Sequence, residues 1–295
     1  MATNYLAHEI ANPKMQYFTP IFQVATLSRP LDRLCSKIGG VPWGFPADHW
    51  PVCCGRPLKL LAQLIHEPPM LDLGTDGTVL HLFQCMDCLG INEPEGRISL
   101  ILDRSQLDNG PAMVPGYNDE GEFGRGLIGE FFINGWKSSD DGIPPKRLPE
   151  FFCERELWRL QDEFPEINWF DGREQTRFGG SPRWTGNGPL DYPKPPYEFA
   201  FQLCNDLYID GPLPTADEVG AEVSTYRYAD GRAQDYSITR PDPSRERANA
   251  PWHVVRENGE SYYMCEFTNL GTDGVVYVFI DRSITPHQVT WYWNR

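Results

Sequence analysis

The sequence predicts an α+β protein built mainly of antiparallel sheet, with an internal duplication. Aromatic residues make up 13% of the 295 residues, alongside 27 glycines and 27 prolines. Aromatic side chains suit the pleated surface of a sheet, while glycine and proline interrupt helices, so short strands and many turns are expected. The similar stretches LGTDGTVLHLF at 73–83 and LGTDGVVYVFI at 270–280 indicate that one hairpin unit occurs twice.

A second pair of similar segments defines the extent of the duplication. IGGVPW at 38–43 matches FGGSPRW at 178–184, and each precedes an apolar run that ends in Gln-Leu. The LGTDG segments recur after a longer interval, so the second copy is predicted to carry an insertion between 203 and 270. These intervals exceed the roughly 20 to 50 residues of solenoid repeats. We therefore predict two halves of one compact domain, 1–148 and 149–295.

In the first half, apolar and β-branched runs between turn residues predict strands. The run at 17–24 contains Pro20, and it is predicted at a sheet edge because proline lacks the N–H that a central strand donates. Residues 104–125 are rich in Asn, Gly, Asp and Pro, which is typical of a surface loop. The other strands predicted in this half are 58–65, 78–83, 97–103 and 129–136.

The second half begins with the clearest helix, 149–163. Pro149 suits a first helical turn, and the apolar residues Phe152, Leu157, Trp158 and Leu160 recur at roughly helical spacing. The insertion is predicted to form a hairpin around an Ala-Asp-Gly-Arg turn, followed by a mobile loop. The predicted elements after the helix are a hairpin of 223–228 and 235–239, a loop at 240–251, and strands at 261–268, 275–280 and 289–293.

The charge and composition narrow the classes of partner and location. The chain has 41 acidic and 26 basic residues, a net charge of −15. This excess repels nucleic acid and anionic membranes, so we expect neither as a partner, and it favours a protein or basic peptide client. No apolar run approaches the roughly 20 residues of a membrane span, and the N-terminus lacks the pattern of a signal peptide. We expect a cytoplasmic protein with reduced thiols.

Four cysteines of the first half form a candidate metal site. Cys53 and Cys54 precede a glycine, and Cys85 and Cys88 form a C-x-x-C pair at a predicted strand end. Two such loops can present four thiolates tetrahedrally, so one structural zinc ion is possible. The side chains of adjacent cysteines point to opposite sides of an extended chain, so either the backbone bends or His49 supplies the fourth ligand. The alternative is a set of buried thiols that only pack.

A series of short motifs carries a family resemblance. The motifs are KIGGVP at 37–42, WP at 50–51, CCG at 53–55, PL at 57–58, AQL at 62–64, and FQC at 83–85 with Cys88. This series resembles the YwqG-like bacterial family, which has no settled function, and residues 178–280 resemble the same pattern. It is distantly similar to the programmed-cell-death-protein-2 group, whose members are implied to chaperone a newly made ribosomal protein. In those relatives the first thiol lies three residues before the Cys-Gly cysteine, where this chain has Pro51.

Tryptophans supply the candidate binding residues, because Trp, Tyr and Arg commonly anchor protein interfaces. The candidates are Trp43, Trp50, Trp184 and Trp252. No complete catalytic motif of the G-x-S-x-G, H-E-x-x-H or Walker A type occurs.

The sequence therefore predicts a non-catalytic protein-binding module of chaperone-like or immunity type. The alternative is a hydrolase or small-ligand-binding protein that uses a cleft between the two halves. In that case we expect a polar pocket with convergent ionisable groups around Cys35 or His287.

Overall fold

A computed structural model provides the structure of the protein. Between residues 206 and 266, the structure describes the backbone of the paired strands, and Leu207 is the one residue there whose side chain it describes. The structure describes residues 14–24, 33–85, 88, 94–110, 112, 131–167, 169, 176–185, 188–189, 192–204, 206–209, 224–227, 233–236, 252–255, 261–266 and 274–294.

Strands dominate the described residues, as the sequence predicts. The strands are β1 Gln16–Val24, β2 Lys37–Ile38, β3 Val52–Cys53, β4 Arg56–Pro57, β5 Lys59–Ile65, β6 Thr78–Gln84, β7 Arg97–Asp103, β8 Phe131–Asp140, β9 Arg177–Gly179, β10 Tyr197–Cys204, β11 Asp206–Ile209, β12 Ser224–Arg227, β13 Ala233–Tyr236, β14 Trp252–Val255, β15 Ser261–Glu266, β16 Val275–Asp281 and β17 Gln288–Asn294. The helices are α1 Glu154–Glu163 and the 3₁₀ segments Ala47–His49, Pro94–Gly96, Arg104–Gln106 and Pro145–Phe152.

One ten-stranded antiparallel sheet organises the protein, in the order β17-β16-β10-β9-β1-β8-β2-β5-β6-β7. Its two edge strands meet through side chains. The Ser99 hydroxyl of β7 donates to the Val289 carbonyl of β17 at 2.5 Å, and the Trp291 indole N–H of β17 donates to the Ile98 carbonyl at 3.4 Å. The sheet is therefore curled into a nearly closed barrel.

The first strand lies at the centre of this sheet, so its predicted position at an edge is wrong. β1 pairs with β8 along its whole length, and on its other side it pairs with β9. The pairing with β9 involves only Tyr17 and Phe18, and the register with β8 shifts between Ile21 and Phe22. Pro20 is tolerated because β9 is short and does not reach it.

The interior of the curled sheet is filled by apolar side chains from both halves. Leu61, Leu82, Phe178, Phe201 and Val278 belong to one buried cluster, each 0% exposed. Close packing of this kind gives each side chain many favourable contacts, and residues from before and after position 148 share this core.

The outer faces of the sheet are covered by two further clusters. Leu157 and Leu160 of α1 pack with Tyr277 and Phe279 of β16. On the opposite half, Phe83 of β6 belongs to a cluster that the segment 45–58 covers. β6 and β16 are consequently buried on both faces, which explains why each reads as a continuous apolar run rather than an alternating one.

The predicted helix 149–163 is divided in two. Residues Pro145–Phe152 form a 3₁₀ segment that includes Pro149, and Cys153 has an extended conformation that separates it from α1. Leu157 and Leu160 are buried as expected, but Trp158 is 51% exposed. It lies on the solvent side of a helix whose first turn begins five residues after the predicted one.

Four strands lie on each side of the central pair β1 and β8. β2, β5, β6 and β7 follow one another on one side, and β9, β10, β16 and β17 follow one another on the other. The β5–β6 ladder shifts register between Leu60 and Ala62, and the β10–β16 ladder shifts between Phe199 and Phe201. The two sides therefore share their strand order and the place of a bulge.

A pair of glutamines occupies matching positions in these two ladders. The side-chain oxygen of Gln63 in β5 accepts a hydrogen bond from the Trp43 backbone N–H at 2.7 Å. The side-chain oxygen of Gln202 in β10 accepts one from the Arg183 backbone N–H at 2.8 Å. Each buried glutamine thus fixes the chain that follows a Gly-Gly turn.

Between β10 and β16 the chain forms the predicted hairpin, as β12 and β13 pair antiparallel. The strands β11 and β14, which flank β15 in a separate three-stranded sheet, were not predicted. The predicted loop 240–251 and most of the second LGTDG segment, 270–273, lie outside the described residues. Among the helices that are described, none combines the length and apolar character needed to cross a membrane.

Candidate metal centre

A tight hairpin presents the first two cysteines. β3 and β4 pair through Cys53 and Arg56, so Cys54 and Gly55 form a two-residue loop. Both have positive φ, 52° and 71°, as in the turns that match the twist of a two-residue hairpin. A Cβ at Gly55 would meet nothing within 4 Å, so glycine serves the backbone conformation there rather than close packing. This bend removes the obstacle that adjacent cysteines present in an extended chain.

The other two cysteines follow β6. The Cys85 backbone N–H donates to the Gly96 carbonyl at 2.8 Å, which ties the end of β6 to the 3₁₀ segment before β7. Cys88 lies in a turn three residues further on. Thiols from two separate loops are therefore brought to one corner of the protein.

The four sulfur atoms of Cys53, Cys54, Cys85 and Cys88 all lie within 4.8 Å of one another. The Sγ of Cys53 is 3.7 Å from that of Cys54 and 3.6 Å from that of Cys88. Four sulfurs at about 2.3 Å from a tetrahedral metal are about 3.8 Å apart, whereas a disulfide bond is about 2.05 Å long. No cysteine in the described part of the chain forms a disulfide. The arrangement can hold a metal ion.

The cluster has a buried side and an open side. Cys53 and Cys85 are 8% and 4% exposed and belong to the apolar cluster that includes Trp50 and Leu58. Cys88 is half-buried, and Cys54 is exposed to solvent. The site is thus continuous with the core on one side and accessible on the other.

The environment of Cys53 favours its protonated thiol unless a cation is bound. Burial raises the pKa of Cys53, and the neighbouring thiols of Cys88, Cys54 and Cys85 raise it further. A bound metal cation reverses this preference, because a coordinating thiol is deprotonated outright. Metal binding at this corner is therefore expected to release protons.

His49, the alternative fourth ligand, is not among the residues whose ligand atoms converge. Its imidazole is 55% exposed and lies 4.0 Å from the Asp48 carboxylate. The hairpin bend brings Cys54 into the group, so four thiols are present without it.

Two of the four tryptophans predicted as binding residues lie in the core. Trp184 is 0% exposed and donates its indole N–H to the Phe151 carbonyl at 2.7 Å. Trp50 is 7% exposed and donates to the Leu58 carbonyl at 3.0 Å. Both are core residues. Their burial is tolerated because each indole N–H, the single donor of the side chain, has a carbonyl acceptor. Trp43 is half-buried, and the side chain of Trp252 lies outside the described residues.

A buried charged cluster was not predicted from the sequence. Asp141 follows β8 and is 2% exposed. Its carboxylate accepts hydrogen bonds from the guanidinium of Arg177, and from the N–H and hydroxyl of Ser181 at 2.6 and 2.9 Å. Arg183 lies 3.5 Å from the same carboxylate. The one hint of this cluster in the sequence is Arg177. It lies two residues before the second Gly-Gly pair, as Lys37 lies two residues before the first.

The two residues proposed for an enzymatic cleft make contacts in different parts of the fold. The carbonyl of Cys35 accepts a hydrogen bond from the Gln63 side chain at 2.9 Å. The Nδ1 of His287 lies 2.9 Å from the Ile284 carbonyl, in the turn between β16 and β17.

No model of a known protein family matches this chain, and no curated protein matches it.

Proposed function

We propose that this chain is a non-catalytic protein-binding protein of chaperone-like or immunity type, acting on a basic protein or peptide client. The observation that carries the proposal is the net charge of −15, from 41 acidic and 26 basic residues. Such a field attracts basic partners and speeds their association, while it repels nucleic acid and anionic lipid. The predicted cytoplasmic location is part of this proposal.

The packing of the sheet interior favours this function over an enzymatic one. The space between the two sides of the barrel is occupied by one apolar cluster to which both halves contribute, including Leu61, Leu82, Phe201 and Val278. A hydrolase or small-ligand site in that space requires room and convergent polar groups. The described residues place apolar side chains there instead.

We further propose that the cysteine corner holds one structural zinc ion. Four thiolates complete the tetrahedral set of a structural site and leave no position open for a substrate. The separations of 3.6 and 3.7 Å between sulfurs support this coordination. The ion would fasten the hairpin β3–β4 to the end of β6 and so hold the cover of the first half in place.

The duplication of a YwqG-like unit belongs to the same proposal. It is supported by the shared strand order on the two sides of the sheet and by the matching roles of Gln63 and Gln202. The likeness to the programmed-cell-death-protein-2 group is the reason for placing a chaperone-like role first.

The test is a binding measurement with defined peptides. Fluorescently labelled peptides of equal length, one rich in Lys and Arg and one rich in Asp and Glu, are titrated with the zinc-loaded protein in about 50 mM and about 300 mM salt. We expect the basic peptide to bind more tightly, and its affinity to fall in the higher salt. Equal affinity for both peptides would contradict the proposal.

A matched control separates a binding site from charge alone. An unrelated protein of similar size and net charge is titrated in the same way. Because a shaped surface adds contacts to the field, we expect the present protein to bind the basic peptide about tenfold or more tightly than the control, a difference of about 1.4 kcal/mol. If the two proteins bind alike, the proposed protein-binding function is wrong.

A further inference from the structure

The four thiols of the metal centre differ in their access to solvent, and this difference has a chemical consequence. Cys54 is exposed, Cys88 is half-buried, and Cys53 and Cys85 are buried. Reagents in solution therefore meet the sulfur of Cys54 first. Thiolate character and access together decide which cysteine is oxidised, and a metal-bound sulfur is already a thiolate.

The backbone singles out the same residue. Among the described residues, Cys54 is the non-glycine residue with positive φ. A side chain in this region is disfavoured and persists where surrounding structure holds it. The two-residue turn of the β3–β4 hairpin supplies this constraint and places Cys54 in an exposed loop.

The geometry of the cluster also selects the partner of an oxidised Cys54. Consecutive Cα atoms are about 3.8 Å apart, below the range of about 4.4 to 6.8 Å in which disulfides form, so a bridge to Cys53 is disfavoured. Cys85 is 4% exposed at the end of β6. Cys88 is half-buried, and its sulfur lies within 4.8 Å of that of Cys54.

We infer that Cys54 is a redox modification site, oxidised first by peroxides and resolved by Cys88 into a disulfide that releases the metal. This inference rests on the metal site proposed above. Its cysteine chemistry is also measurable in the metal-free protein, so the two can fail separately. The product leaves only Cys53 and Cys85 as thiol ligands, too few for a stable zinc site.

The reaction balances with hydrogen peroxide as the oxidant. The Cys54 thiolate sulfur attacks one peroxide oxygen, the O–O bond breaks, and the departing hydroxide takes a proton to become water. Cys54 is then a sulfenic acid, oxidised by two electrons. The Cys88 thiolate attacks this sulfur, an S–S bond forms, and the second oxygen leaves as hydroxide and is protonated to water. Two thiolates, one peroxide and two protons give one disulfide and two waters.

The experiment begins with zinc-loaded protein treated with hydrogen peroxide. Zinc release is followed with a chromogenic chelator, and disulfides are mapped by mass spectrometry of non-reduced peptides. We expect a Cys54–Cys88 linked peptide to appear at the same rate as free zinc. Cys54→Ser protein that retains zinc on the three remaining thiols should release it about tenfold more slowly, because the accessible sulfur is gone. The control variant Cys153→Ser removes an exposed cysteine outside the cluster and should behave as wild type.

A second measurement covers the case in which Cys54→Ser does not hold zinc. Wild-type protein, with or without metal, receives a limiting amount of peroxide together with a reagent that traps sulfenic acids. We expect Cys54 to carry most of the trapped label in the cluster. Label chiefly on Cys53, Cys85 or Cys88, or a Cys53–Cys88 linked peptide as the main product, would overturn the inference. A chain that contains no zinc but labels at Cys54 removes the metal proposal and the metal release, and retains only the oxidation of Cys54 and its resolution by Cys88.

Discussion

Asp141 and Arg177 form an ion pair with no exposure of either side chain, and it joins the end of β8 to β9. The pair connects the two predicted halves at the point where β1 lies between them. The N–H and hydroxyl of Ser181 add two hydrogen bonds to the same carboxylate. A buried charge with this many partners stabilises only as a complete set, because each partner left alone is a buried charge or an unsatisfied polar group.

The first prediction concerns the loss of this carboxylate charge. Asp141→Asn leaves the guanidinium of Arg177 buried without its counter-charge, so we expect the free energy of unfolding to fall by about 3 to 5 kcal/mol. Urea denaturation followed by tryptophan fluorescence measures it. The control is Glu198→Gln, which breaks a pair with Arg282 at 3.2 Å in which the glutamate is 71% exposed. That change should cost about 1 kcal/mol or less. Equal losses in both variants would show that the buried ion pair contributes no more to the free energy of unfolding than the exposed pair does.

The second prediction concerns Gly180, which packs against this ion pair. A Cβ there would lie 2.6 Å from an Asp141 carboxylate oxygen, 2.8 Å from an Arg177 guanidinium nitrogen and 2.9 Å from the Cβ of Tyr17. Gly110 also has positive φ, but a Cβ there would meet nothing within 4 Å. We expect Gly110→Ala to cost about 1 to 2 kcal/mol from conformation alone.

Gly180→Ala should cost about 2 kcal/mol more than this control, because the added methyl displaces the ion pair as well. The comparison is made by urea denaturation of both variants under the same conditions. If the two alanine variants are equally stable, the close approach at Gly180 does not occur in solution.

The parts of the fold that could be predicted from the sequence are those with local signals. Runs such as those of β6 and β16, apolar throughout and bounded by turn residues, identify strands wherever they lie in the sheet. The position of β1 could not be predicted, because Pro20 excludes a strand from the sheet centre only where both neighbours pair beside it. That β9 is too short to pair beside Pro20 depends on the tertiary structure, which local sequence patterns do not specify.

The candidate site shows the same division. The cysteine spacing predicted a cluster, and the doubt about adjacent Cys53 and Cys54 is removed by the positive φ of Cys54, which sequence patterns do not specify. Asp141 and Arg177 are far apart in the chain, and each alone reads as an ordinary surface charge. Burial of Trp50 and Trp184 depends on which rings and carbonyls surround them, so composition could not separate core from binding surface.

The third prediction concerns the proposed zinc ion. Cys85→Ser removes a buried ligand, so we expect the purified variant to lose the zinc that wild type holds. A metal bound only by the folded state, at a concentration 1,000 times its Kd, stabilises by about 4 kcal/mol, and we expect a loss of about that size. Elemental analysis and thermal denaturation are the two measurements.

Two controls distinguish loss of metal from a packing defect at Cys85. A chelator should lower the stability of wild type to nearly that of the variant, and added zinc should restore wild type alone. Cys153→Ser, at an exposed cysteine outside the cluster, should keep both zinc and stability. Wild-type protein purified without chelator and found to contain no zinc would remove the proposed cofactor.

The fourth prediction concerns pH and His81, in the middle of β6. His81 is 0% exposed, and neither ring nitrogen has a hydrogen-bond partner within the described structure. Burial, and then the positive charge of Lys37, lowers the pKa of His81 from 6.5 to about 3. Below a pH of about 6.5, His81 therefore binds a proton in the unfolded chain, whereas in the folded protein it binds one only below about pH 3. The stability of the folded state falls as pH falls through this window, by about 1.4 kcal/mol per pH unit.

The variant His81→Phe removes this proton and keeps a ring beside Phe45, whose centroid lies 5.0 Å from that of His81. Between pH 7 and pH 5, wild type should lose about 2 kcal/mol more free energy of unfolding than the variant. His49→Gln, which removes a 55% exposed imidazole, is the control for loss of a surface histidine. Urea denaturation at a series of pH values gives the three curves. Parallel curves for wild type and His81→Phe would mean that His81 takes up its proton in the folded protein as readily as in the unfolded chain.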